Sequence, residues 1–165
     1  MKKILCIWMM FISFTGLAQE WKVFSDSSFE ILYPDTWELS ETRGVAFLAL
    51  SQQINEQDLF RENVNLLIQD LKGTGLDLKK YTEISHAQID EMIPNSKLIS
   101  SQFYDDYHEV VYQGDQNGQQ LQFLQHYYVI NEKAFVLTYT AQKTDFDRYL
   151  EVSRKIMDSF KLKPY

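Results

Sequence analysis

Cysteine and histidine are the scarcest reactive residue types in this chain of 165 residues. There is one cysteine, Cys6, and there are three histidines, His86, His108 and His126. Because Cys6 precedes Ala18, a chain processed after Ala18 would have no disulfide, no cysteine nucleophile and no cysteine metal ligand. The histidines show no HExxH or similar spacing, which argues against a metallohydrolase site.

The glycine-based motifs of common enzyme classes are also missing. The chain has no GxSxG nucleophile elbow, no GxGxxG dinucleotide fingerprint and no GxxxxGK[ST] phosphate loop. The glycines at Gly73 and Gly75 are better explained by a turn between a strand and a helix. We therefore expect a protein that is not an enzyme and that needs no cofactor.

Basic residues are in short supply. Lysine and arginine number 16 against 23 acidic residues, and loss of Lys2 and Lys3 with the N-terminal segment would leave 14 and a net charge of −9. Nucleic acids and anionic membrane surfaces both attract clustered lysine and arginine. The charge balance argues against either partner.

The N-terminus has the pattern of an export signal. Lys2 and Lys3 precede an apolar run at residues 4–14, and residues 16–18 are typical of a cleavage site. The alternative is an uncleaved membrane anchor, but this run is shorter than the roughly 20 residues of a spanning helix. We predict a signal peptide at 1–18, a single domain at 19–165, a periplasmic or extracellular location, and no membrane span after cleavage.

Alternating apolar and polar residues predict a chain rich in strands. The predicted strands are residues 21–24, 29–33, 45–51, 63–68, 96–104, 109–113, 121–130 and 134–141. The strand at 45–51 is apolar on both faces and is expected to be central. One helix should begin after Asp77 and end before Pro94, and a second should follow Thr144 or Asp145. Hairpins dominate, so the fold class is α+β with a mainly antiparallel sheet flanked by helices.

Four segments carry a resemblance to a known family. Residues 29–37 place a strand before a proline turn and a tryptophan, and residues 61–65, 135–141 and 156–160 follow in the same order and spacing. Together they resemble the PsbP-like superfamily, which includes PsbP, the Ran-binding protein Mog and envelope proteins of the DcrB type. The resemblance implies an αβα sandwich that acts by binding. It assigns no functional residue to this chain.

The loop at residues 53–61 is the predicted partner-binding segment. It places Ile54, Leu59, Phe60 and Arg61 among polar neighbours, and a few apolar anchors with a polar rim are typical of protein interfaces. The alternative is that these side chains fold back onto the sheet. The preferred hypothesis is an accessory protein that binds an envelope protein, as yet unknown, through this loop or through a sheet edge. The sequence does not determine the oligomeric state.

Aromatic residues support a second hypothesis, a carrier of a small apolar or aromatic ligand. Its pocket would lie between a helix and the sheet and would be lined by Tyr127, Tyr128 and Tyr139. A sheet-rich core explains the same tyrosines without any ligand.

A metal-dependent enzyme is the most distant alternative. Asp105, Asp106, His108 and Glu109 could hold a hard cation if they converged, whereas a solvated turn explains the same acidic residues. Of the other histidines, His86 is expected to pair with Asp90 on the surface of the first helix. His126 is expected to be a hydrogen-bonded residue within the sheet.

Overall fold

The computed structural model describes residues 19–56, 58 and 60–164. The predicted signal peptide and Leu59 lie outside these residues. Within the described residues, two helices and ten strands follow one another. They are β1 (Trp21–Ser25), β2 (Phe29–Pro34), β3 (Glu38–Leu39), β4 (Phe47–Leu50), β5 (Asn63–Asp70), α1 (Leu78–Met92), β6 (Lys97–Phe103), β7 (His108–Gln116), β8 (Gln119–Ile130), β9 (Lys133–Gln142), α2 (Phe146–Asp158) and β10 (Lys161–Leu162).

The strands form two sheets. The larger has seven strands in the order β3-β4-β5-β9-β8-β7-β6, and the smaller has the order β1-β2-β10. Every neighbouring pair is antiparallel. The long strands β8 and β9 lie next to each other near the middle of the larger sheet, so hairpins build most of the fold.

Alternation along β9 explains the layers on either side of the larger sheet. Phe135 and Leu137 belong to the core under α2, whereas Ala134 and Val136 belong to the core under α1. Successive side chains of a strand point to opposite faces, so one apolar strand supplies both cores. The α2 layer is shared with the smaller sheet, because Phe29 of β2 packs in the same core and its ring lies 5.8 Å from that of Phe160.

Two tight turns join the central hairpins. Asn117 and Gly118 connect β7 to β8, and Asn131 and Glu132 connect β8 to β9, all four with positive φ. Such two-residue turns match the twist of the flanking strands. The sequence predicted strands at 109–113 and 121–130, but β7 continues to Gln116 and β8 begins at Gln119, so the turn between them is shorter.

Three predictions about the strands are corrected by the structure. The strand predicted as central is β4, which is second from one end of the larger sheet because only the two-residue β3 lies outside it. Strands β3 and β10 were missed, since two residues are too few to show alternation. The strand predicted at residues 109–113 begins one residue earlier, at His108, as the first residue of β7.

Candidate functional site

The edge strand β6 is exposed along its whole length. Leu98 and Ile99 are each 50% exposed and Phe103 is 52% exposed, and Tyr104 beyond the strand is exposed as well. Apolar side chains of this size rarely gather on a free surface without a binding role. The other end of the same sheet is the two-residue β3, so β6 is its one long edge.

The backbone of β6 has free hydrogen-bonding groups on its outer side. Tyr104 donates its N–H to the carbonyl oxygen of Tyr107 at 2.8 Å, which directs the backbone of Tyr104 toward β7. In an antiparallel ladder the inward and outward directions alternate, so the amide and carbonyl groups of Ser101 and Phe103 face away from β7. An extended segment of a protein could pair with them.

A bulge at Ile99 sets which side chains share a face. Leu98 lies opposite Tyr112, Ser100 lies opposite Val111, and the register shifts between Leu98 and Ser100. Phe103 lies opposite His108. Because Tyr112 and His108 face α1, Leu98 and Phe103 lie on the α1 face of the edge.

A buried histidine packs against the side chains of β6 that face α1. His108 is fully buried, its Nε2 lies 2.9 Å from Oγ of Ser101, and the ring of Phe103 lies 4.3 Å from its own. Its Nδ1 has no hydrogen-bond partner. The pKa of His108 is lowered to about 4, chiefly by burial and also by nearby His86, while Glu109 opposes the shift. His108 therefore acts as a neutral, aromatic spacer between β6 and α1.

On the opposite face, a charged cluster ties α2 to the sheet. The guanidinium of Arg154 donates to both carboxylate oxygens of Glu109, at 2.7 and 3.1 Å, and Nε2 of His126 lies 3.0 Å from Oε2 of the same carboxylate. These contacts, the His126 hydrogen bond foremost, lower the pKa of Glu109 to about 2 although burial raises it. Both oxygens are occupied, so the carboxylate is a structural anion.

The three described residues among those predicted for partner binding do not form one surface. Ile54 is exposed, but Phe60 packs against the core under α1. Arg61 donates to the carbonyl of Ser51 at 2.6 Å and to the carboxylate of Glu38 at 2.8 Å. Of the described part of this loop, only Ile54 is a free apolar anchor.

The three tyrosines predicted to line one pocket lie on two faces of the larger sheet. Tyr127 faces α1, whereas Tyr139 faces α2 and donates to the carbonyl of Phe146 at 2.8 Å. Both are fully buried, and Tyr128 is half-buried on the α2 face. Alternation along the strands separates them. Tyr127 alone lines a groove of about 330 Å³ between α1 and the sheet, beside Tyr81 and Gln125.

The four candidate metal ligands do not converge either. His108 and Glu109 are adjacent in β7, so their side chains point to opposite faces of the sheet, and Asp105 and Asp106 are exposed in the preceding turn. Within the described ranges no group of three or more potential ligands is assembled. His86 also differs from expectation: it is half-buried and its ring lies 5.5 Å from that of His108.

Sequence reasoning missed the residues of the edge. Leu98, Phe103 and Tyr104 were recognised as strand residues but not as an exposed group, because the sequence does not show which strand ends the sheet. Arg154 was missed because its position on α2 is polar and ordinary. The signal available was its place beside the apolar stripe of α2, from which a long side chain can reach the sheet.

Comparisons with known proteins identify the fold. No family model and no curated protein matches the chain. Cyanobacterial PsbP (CyanoP) from Synechocystis sp. PCC 6803 is similar in structure, with a TM-score of 0.64 and 17% identity over 91% of this chain and 96% of that one. LpqN of Mycobacterium tuberculosis, described as involved in cell envelope biogenesis, is similar with a TM-score of 0.66 and 14% identity. The match covers 88% of this chain and 91% of that one. PA94 of Pseudomonas aeruginosa, a protein of unknown function described as a putative regulator, is similar with a TM-score of 0.62 and 12% identity. The match covers 88% of this chain and 99% of that one.

Within the described part of the chain, neither helix has the length and apolar character needed to cross a membrane. The structural similarity to these solved structures extends over 88–91% of the chain. The chain has a PsbP-like fold, an α+β sandwich, as the four sequence segments predicted.

Proposed function

We propose that this chain is an exported, non-catalytic accessory protein of the cell envelope that acts by binding another protein at the β6 edge. The observation that carries the proposal is the edge itself, a seven-residue strand with every residue exposed. Main-chain hydrogen bonds give affinity in strand addition, and alternate side chains give selectivity. Leu98 and Phe103 supply apolar anchors on one face.

The polar clusters near the edge support a binding role over a catalytic one. A general base needs a lone pair directed at a substrate, but both oxygens of Glu109 are held by Arg154 and His126. His108 is buried between Phe103 and Tyr127. Perturbed pKa values often mark active sites, but here the contacts explain them as parts of the packing.

Export is supported by the N-terminal pattern described above. The similarity to LpqN, whose description concerns envelope biogenesis, agrees with the same location. Ile54 is a second exposed anchor, on the opposite side of the sheet order from β6, and it would serve a separate contact.

The experiment is an affinity capture from an envelope extract of the native cell, with residues 19–165 as bait. The variant Leu98→Lys/Phe103→Lys places two cations on the edge, and Val23→Lys is the matched control, since Val23 is 60% exposed on the smaller sheet. We expect one protein to be retained in stoichiometric amount by the wild type and by the control, and lost with the double variant. The captured protein is then purified and its binding to the same three baits is measured directly.

Retention by all three baits would place the contact elsewhere, and Ile54→Lys would then test the loop. Absence of any stoichiometric partner would contradict the proposed function. Circular dichroism of each bait shows that the substitutions leave the fold intact, as expected for side chains that are half exposed.

A second candidate function is favoured by the groove between α1 and the sheet. Its walls combine Tyr81, Tyr127 and Ile89 with glutamines, among them Gln69 and Gln125, which already bond to the tyrosine hydroxyls. A small aromatic ligand with neutral polar groups would suit this lining. Native mass spectrometry of the protein purified from its own cell would detect such a ligand, and Gln88→Trp, at the groove wall, should abolish the retained mass.

A further inference from the structure

The β6 edge is self-complementary, and we infer that it joins two copies of this chain in an antiparallel, two-fold dimer centred near Ser101. The inference rests on the proposed function, since it uses the same edge. The dimer is reversible, so a different protein can replace the second copy at β6.

The side chains fit such a pairing because β6 is apolar on one face at both ends. A two-fold axis near Ser101 brings Leu98 of each copy opposite Phe103 of the other, once the bulge at Ile99 is taken into account. Leu98 and Phe103 lie on the same face of their own sheet, opposite Tyr112 and His108. The axis preserves the face, so two apolar pairs form across the junction.

The backbone fits as well. The amide and carbonyl groups of Ser101 face away from β7, because Tyr104 donates toward it. A residue placed on a two-fold axis between antiparallel strands meets its own copy, and outward-facing groups at that residue can exchange hydrogen bonds. Ser101 therefore provides the central pair of the ladder.

Charge follows the same symmetry. Lys97 begins β6, and Asp105 and Asp106 lie just beyond its end. Antiparallel pairing brings the start of one strand beside the end of the other, so each Lys97 meets the acidic pair of the second copy. The two-fold axis repeats this contact, and like charges never meet.

The dimer is also closed. The only other edge of the larger sheet is β3, which has two residues and cannot pair with a seven-residue strand over its length. Once two β6 strands are paired, the long edge of each copy is covered. The sheet would then continue across both copies without extending into a fibre.

The test measures mass by sedimentation equilibrium across micromolar concentrations, using residues 19–165. We expect a reversible dimer for the wild type and for Val23→Lys, and a monomer for Leu98→Lys/Phe103→Lys. Lys97→Glu and Asp105→Lys/Asp106→Lys should each weaken the dimer by about tenfold, because each change creates two repulsive contacts by symmetry. Combining the three substitutions should restore the wild-type affinity.

A second measurement fixes the axis. Ser101→Cys introduces the sole thiol of residues 19–165, since the only cysteine of the chain is Cys6. Mild oxidation should link two copies through this position, whereas Val23→Cys should remain monomeric under the same conditions. A cross-link at Val23 and none at Ser101 would contradict the placement of the axis.

A monomer at every concentration overturns the inference, as does a dimer that persists in Leu98→Lys/Phe103→Lys. Neither result decides the proposed function, which depends on capture of a different protein in the pull-down. Edge-dependent capture by a monomeric chain would refute the dimer and retain the function. A dimer without any captured protein would do the reverse.

Discussion

His108 gives the fold a predictable sensitivity to mild acid. In the folded chain the imidazole is fully buried, packed between Phe103 and Tyr127, and its pKa falls from 6.5 to about 4. In the unfolded chain the imidazole is solvated and titrates near its ordinary value. Between these two pKa values the unfolded state binds more protons than the folded state, so lowering the pH favours unfolding.

The size of the effect follows from the two proton affinities. The contribution of His108 is fully present above pH 6.5 and is lost progressively as the pH falls toward 4. From about pH 7.5 to about pH 5, the free energy of unfolding should fall by about 2 kcal/mol through this residue. Burial also lowers the pKa of His86, which adds to the loss in the same direction. The stabilisation from Glu109 is fully present above about pH 4.5 and is lost as the pH falls toward its folded pKa of about 2, so its pH window is separate.

The assay is urea unfolding at a series of pH values and one protein concentration, followed by the fluorescence of Trp21 and Trp37. The informative variant is Ser101→Ala/His108→Phe. It removes the titrating ring and its hydrogen-bond partner together, and it keeps an aromatic ring between Phe103 and Tyr127. We expect its stability to change much less over the same pH interval. If the variant loses the same 2 kcal/mol or so as the wild type, the reasoning on His108 is refuted.

Three further predictions concern packing and capping. Gly114→Ala should lower the free energy of unfolding by about 1–3 kcal/mol, because the added Cβ would collide with Cγ2 of Ile93. In urea unfolding, Ile93→Ala in that background should recover part of this loss. Arg154→Met should lower the free energy of unfolding by about 2 kcal/mol. This is less than the loss of a fully buried ion pair would cause, because the guanidinium is partly exposed. Adding Glu109→Gln should reduce the loss in the same assay. Asp77→Ala should lower the free energy of unfolding by about 1 kcal/mol, since its carboxylate accepts from the N–H of Lys80 at 2.8 Å, and thermal unfolding at fixed concentration would show no shift if the cap were unimportant.

The main elements of the fold could be predicted because their signals are local. Strand β9 is a long run of strand-forming residues that is buried on both faces, and α2 buries Ser153, Ile156 and Met157 at spacings of three and four residues. The cap at Asp77 was confirmed because its signal is local. Strands β3 and β10 could not be predicted, since their pairing with β4 and β2 depends on where distant parts of the chain lie.

The candidate site was harder to predict because it depends on the order of the strands. Nothing local in residues 97–103 shows that β6 ends the sheet, and the same residues in an inner strand would be core. The predicted metal ligands do not converge, and here the reason is local. His108 and Glu109 are neighbours in sequence, and once they belong to one strand, neighbours cannot share a face.

Strand β7 contacts both helices, since His108 packs against α1 and Glu109 accepts hydrogen bonds from Arg154 of α2. The neighbouring strand β6 contacts this scaffold through Ser101 and Phe103, which lie against His108, and all of its residues are exposed. We therefore expect β6 to tolerate amino-acid substitutions better than the neighbouring strand β7. Changes at the buried positions of β7 should destabilise the fold more than changes at exposed positions of β6 such as Leu98 and Ile99. On the proposed function, substitutions at such exposed positions would change the bound partner without a change in the scaffold behind the strand.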